Sequence, residues 1–84
     1  MPEGPFCYRP EVLEQLWRHG IQPTERTRPS LVRDFVRDLY KYEIRRLRDR
    51  MLRHEFPRDE YAGRVDALRR SYPVLALPSG HFVE

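Results

Sequence analysis

The sequence predicts an all-α fold: three helices with a long central one, forming a small helical hairpin or bundle, completed by an extended apolar C-terminal strap. Three observations carry that expectation. Prolines divide the chain into helix-sized segments, apolar residues recur at helical spacing inside those segments, and neither proline nor glycine interrupts residues 30–56. The 84 residues suffice for one small domain, expected over 1–84 with a loose lead at 1–9 and an extended tail at 73–84.

The first helix is expected over about residues 10–19. Pro10 fits its first position, where a missing N–H removes no helical hydrogen bond. Val12, Leu13, Leu16 and Trp17 share one face, and Gly20 supplies the stop, with Ile21 tucked beneath it. The polar connector "IQPTERTRPS" leads to Pro29, with Thr27 and Ser30 as capping candidates. The second helix is expected over about 29–54, roughly 39 Å at 1.5 Å per residue. Phe56-Pro57 breaks it, because a residue before proline is pushed out of the α region. The third helix is expected over about 58–71, with Tyr61, Val65, Leu68 and Tyr72 on one stripe. Gly63 inside it costs about 1 kcal/mol against Ala, a cost that a closely crossing helix would justify. In the tail, Val74, Leu75 and Leu77 form an apolar run between prolines, too short for a helix.

The central segment "LVRDFVRDLYKYEIRR" repeats in fours. On a helix of 3.6 residues per turn, such a repeat drifts by about 40° each time. Its apolar stripe therefore winds, from Leu31, Val32, Phe35, Val36, Leu39 and Tyr40 round to Ile44, Leu47 and Met51. A winding stripe suits a helix that meets different neighbours at its two ends. A compact body of this length has a radius of gyration of about 12 Å, which a helix near 39 Å overhangs. The excess predicts self-association or a protein partner. The residues expected at that interface are Ile44, Leu47, Met51, Leu52, Val74, Leu75 and Leu77.

Charge supplies the alternative. Fifteen of the sixteen basic residues are Arg, the net charge is +3 and the pI is near 9.4. Arginine suits bidentate contact with phosphate, but a GC-rich coding bias enriches it equally well. Asp34 and Asp38 have partners at i, i+3 in Arg37 and Lys41; Glu43 faces Arg46, and Asp49 lies four residues from Arg45 and Arg53. The excess is concentrated in residues 41–58, seven basic against three acidic. Arg45, Arg46, Arg48, Arg50 and Arg53 are thus the candidate phosphate contacts for a nucleic-acid-binding accessory protein. Tyr40 and Tyr42 interleave with them as stacking candidates, though half-buried packing explains them too.

Catalysis is not expected. His19, His54 and His81 are scattered, Cys7 is the only thiol, and no metal-ligand or glycine-rich phosphate spacing occurs. Asp59 and Glu60 stand where a helix dipole favours acids. No cofactor is implied, and no apolar run is long enough to cross a membrane. With one cysteine and no signal-peptide pattern at residues 1–10, a cytoplasmic location is expected. The functional expectation is a non-catalytic interaction module: an adaptor, regulator or small subunit of a larger assembly.

Overall fold

A computed structural model describes residues 5–84, and it has the all-α architecture that the sequence predicts. Helix α1 spans Pro10–Arg18, α2 Pro29–Leu52 and α3 Tyr61–Arg70, the last preceded by a 3-10 turn at Arg58–Glu60. Pro10 and Pro29 both stand in the first turn of their helices. Gly20 ends α1 at φ 75°, its N–H bonded to the Trp17 carbonyl at 2.9 Å. The Ile21 N–H reaches back to the Leu16 carbonyl at 2.9 Å, completing a Schellman motif, and the Ile21 side chain packs on the core. Thr27 does not cap α2. Its hydroxyl accepts the Thr24 N–H at 3.0 Å and closes the connector turn.

Helix α2 ends at Leu52, two residues short of the expected limit, through the same motif with His54 in the glycine position. His54 adopts φ 62°, its N–H bonds the Met51 carbonyl, and the Glu55 N–H bonds the Arg50 carbonyl, both at 3.0 Å. A left-handed conformation costs an L-residue about 1–2 kcal/mol. His54 therefore lies beyond the helix, in a strained turn.

At 24 residues, about 36 Å, α2 is the spine of the molecule. Helix α1 and the tail gather on its first half, around Val32 and Val36, and α3 folds back along its second half. The neighbours lie along α2 instead of encircling it. The body consequently measures 51 × 18 × 17 Å, with a radius of gyration of 15.4 Å against the roughly 12 Å of a compact chain this long.

The main core joins Val12 and Leu16 of α1, Val32 and Val36 of α2, and Tyr72, Val74 and Phe82 from the tail, with Tyr8 from the lead. Phe82, Leu16, Val36 and Val74 are wholly excluded from solvent. Helix α3 has no fully buried side chain, so the far half rests mainly on Leu47 and Phe56. Phe56 lies beneath the guanidinium groups of Arg64, 4.1 Å from the ring centre, and Arg50, at 5.8 Å.

Two expectations about the chain ends are corrected. The tail is not extended but coils through 3-10 turns at Pro73–Ala76 and Ser79–His81, since each proline presets a φ that favours a tight turn. Arg33 fixes it to α2, its Nε donating to the Leu77 carbonyl at 3.0 Å and its Nη2 to that of Leu75 at 3.1 Å. The lead is docked from Phe6 onward; residues 1–4 of it lie outside the described residues. Tyr8 and Val83 form an antiparallel bridge, flanked by bonds from the Arg9 N–H to the Phe82 carbonyl and from the Glu84 N–H to the Cys7 carbonyl, each 2.9 Å. Gly63 also departs from expectation. It is exposed, and an added Cβ would meet nothing within 4 Å, so no helix crosses there.

Candidate interaction surface

Because α1, the tail and α3 all pack on one side of α2, its opposite side is left bare. Leu31, Phe35, Tyr42 and Leu52 are 62, 61, 57 and 54% exposed. With Asp38, Arg45 and Asp49 they form a seam at alternating steps of four and three residues, every member of it exposed. Four of its seven positions are apolar and three are charged. The seam shares Leu31 and Phe35 with the winding stripe of the same segment, but the stripe's Val32, Val36 and Leu47 are buried. Beside the seam's first half, Leu31, Phe35, Ile21, Pro23 and Thr27 line an apolar hollow of about 300 Å³. Trp17, 56% exposed on α1, is a further large apolar residue in solvent.

The residues expected at an interface are not brought together in one surface. Val74 is wholly buried and Leu47 is 8% exposed, so both belong to the chain's own packing and neither is open to a partner. Val74 is drawn inward by the turn at Pro73–Ala76, and Leu47 by the return of α3 over α2, neither of which a local pattern specifies. Leu75 and Leu77 are half-buried against the core. Ile44 and Met51 are half-buried. Leu52 remains accessible, with Met51, beside a hollow that also reaches Phe56 and Pro57. Sequence reasoning missed Leu31, Phe35 and Tyr42 as a surface because the first two were absorbed into the winding stripe. The signal that finds them is their 3–4 spacing with Leu52.

The charges along α2 pair less than expected. Asp34 meets Arg37 at 3.4 Å, while Asp38 approaches Arg37 at 3.9 Å rather than Lys41. Glu43 is taken by Tyr72, whose hydroxyl donates to it. Arg50 pairs with Glu55 at 3.1 Å and covers Phe56, so this candidate phosphate contact is already engaged. Arg45, Arg46, Arg48 and Arg53 are exposed, and among the described residues none has a carboxylate within ion-pair distance. The first half of the outer face thus carries apolar groups with Asp34 and Asp38 balanced by Arg37, and the second half carries Arg45 and Arg48 without a carboxylate partner.

The remaining polar groups serve the fold. Tyr72 joins three elements: His19 stacks on it at 4.0 Å, Tyr40 meets it edge-on at 5.3 Å, and Glu43 accepts a hydrogen bond from its hydroxyl. Burial, then the hydrogen bond to Glu43, then that carboxylate's charge push the Tyr72 hydroxyl far above its usual value. His19 Nε2 lies 2.8 Å from the Ser71 carbonyl. The Cys7 thiol, 3.4 Å from a Glu84 oxygen, is pushed up by that hydrogen bond and charge, which disfavours the nucleophilic thiolate. Among the described residues no group of three or more His, Cys, Asp or Glu is placed to hold a metal ion. No helix among them is long and apolar enough to cross a membrane.

The chain matches no protein-family model, no curated protein and no solved structure.

Proposed function

We propose that the chain is a non-catalytic protein-interaction module, an adaptor, regulator or small subunit, that binds through the outer face of α2. The observation that carries this reading is the exposure of four large apolar residues, Leu31, Phe35, Tyr42 and Leu52, along a single helix face. Apolar residues scattered over a surface need no explanation, whereas four on one helix face, with Leu31 and Phe35 adjacent beside an apolar hollow, are the kind of exposure that marks interaction sites. Phe35→Arg and Leu31→Arg test it, because both positions lie in solvent and tolerate charge without loss of the fold. The variants keep the wild-type circular dichroism but lose assembly in sedimentation velocity, or lose a partner recovered by affinity purification from native lysate. A wild-type chain that is monomeric at every concentration, and recovers no partner sensitive to these changes, refutes the reading.

A second reading has its own support. The arginines left without carboxylates, Arg45, Arg46, Arg48 and Arg53, suit phosphate contact with little sequence discrimination. Affinity for duplex and single-stranded DNA measured against salt decides it. Phosphate contact requires a steep fall with rising salt, and absence of binding at low salt excludes it.

A further inference from the structure

We infer that α3 is a flap over the second half of α2, one that unfolds locally while α1, the tail and the first half of α2 stay folded. The two halves of the molecule are held by different kinds of contact. Around the first half of α2, eight buried side chains from the lead, α1, α2 and the tail close on one another. Helix α3 has no buried side chain, and its apolar Tyr61, Val65 and Leu68 are only half-buried. An open groove of about 550 Å³ lies between it and α2. Its ion pairs, Arg64 with Glu60 at 3.2 Å and Arg70 with Asp66 at 2.9 Å, close within residues 58–70. Among the described residues no ion pair ties α3 to α2.

Three features weaken the closed form further. Gly63 loosens α3 from within, and with nothing within 4 Å of an added Cβ, no close packing demands a glycine there. The Arg64 Nε is shut off from solvent without an acceptor, a desolvation that opening relieves. His54, in the turn that leads back to α3, holds φ at 62°, a strain that the open form can shed. A helix of ten residues is not stable alone in water, so α3 unfolds once it leaves α2. The opening stops at Tyr72, which His19, Tyr40 and Glu43 hold in place. It bares Leu47 and the inner flanks of Arg46 and Arg50, all of which line the groove. The outer face of α2 is unchanged by it, so the flap stands apart from the interaction reading.

Native-state hydrogen exchange over a series of low urea concentrations reads the opening directly. The amides of Val65 to Arg70 should exchange at least about tenfold faster than the slowest amides of α1 and the first half of α2. Their rates should hardly depend on urea, because local opening exposes little surface. Val12→Ala, in the core at 1% exposure, should speed the slowest amides and leave those of α3 unchanged. Gly63→Ala should slow exchange in α3 about fivefold. Ala67→Pro, at an exposed site inside α3, should abolish protection of α3 alone, with the slow amides of α1 still protected. Amides of α3 that share the rate and urea dependence of the α1 amides overturn the flap, with or without any variant. So does a Val12→Ala chain in which α3 and α1 amides quicken by the same factor, a Gly63→Ala chain with no slowing in α3, or an Ala67→Pro chain unfolded throughout.

Discussion

Leu47 and Leu52 lie on the same helix five residues apart, yet the structure assigns them opposite work. Leu47 is 8% exposed where α3 returns over α2, and Leu52 is 54% exposed on the outer face. Truncating Leu47 to Ala removes about three carbons from a nearly buried site, at about 0.8 kcal/mol each roughly 2.4 kcal/mol. A cavity contribution adds to this, but Leu47 borders an open hollow into which neighbours relax, so the total should be about 2–3 kcal/mol. A chain of this length has a stability of about 4–12 kcal/mol at 0.05–0.15 kcal/mol per residue, so the loss is a substantial fraction. Leu52→Ala, half in solvent already, should cost under about 1 kcal/mol and act on assembly instead. Urea unfolding followed by circular dichroism measures both, at two protein concentrations, because association adds concentration-dependent stability. A Leu47→Ala loss below about 1 kcal/mol, or equal losses at the two sites, would refute the division of α2 into a packed and a bare side.

Phe82 is wholly buried only two residues from the end of the sequence, so Phe82→Ala should lower stability by about 3–5 kcal/mol in the same assay. His54→Gly should raise stability by about 1 kcal/mol, since glycine adopts the left-handed turn without the Cβ penalty; a neutral or negative effect would count against strain there. The Tyr72 and Tyr8 hydroxyls are both raised above the usual 10.0, which is the pH sensitivity of groups buried in their protonated form. Their contribution is fully present below about pH 10 and is lost as the pH rises above it, so alkaline titration of the unfolding midpoint should show a fall that Tyr72→Phe reduces. At neutral pH the same variant should cost about 1–2 kcal/mol through the lost bond to a partly exposed carboxylate.

The helices were legible because their signals are local. Pro10, Pro29 and Pro57 mark boundaries by backbone geometry alone, and Gly20 marks a stop through the sign of its φ. The end of α2 was less legible, since His54 fills a position where glycine would have announced it. What sequence could not supply was which apolar residues face each other. Val74 reads as a free strap until the Pro73 turn and the Arg33 bonds to the tail carbonyls bring it inward. The docking of Tyr8 and Arg9 against Phe82 and Val83 joins residues more than seventy positions apart, beyond any periodicity. The candidate surface was hidden for the opposite reason: the four-residue repeat overlays two patterns on one helix. Only once α3 and the tail claim the winding stripe does the remainder, Leu31, Phe35, Tyr42 and Leu52, stand out as a second face.

Charge placed on that face tests the account most directly. Phe35→Arg and Leu52→Arg, made singly and together, change positions that are 61 and 54% exposed, so the fold and its circular dichroism should be kept. Sedimentation velocity, and affinity capture from native lysate, should show an assembly or a partner that each change weakens and the double change abolishes. A wild type that is monomeric and recovers no partner sensitive to these changes would contradict it.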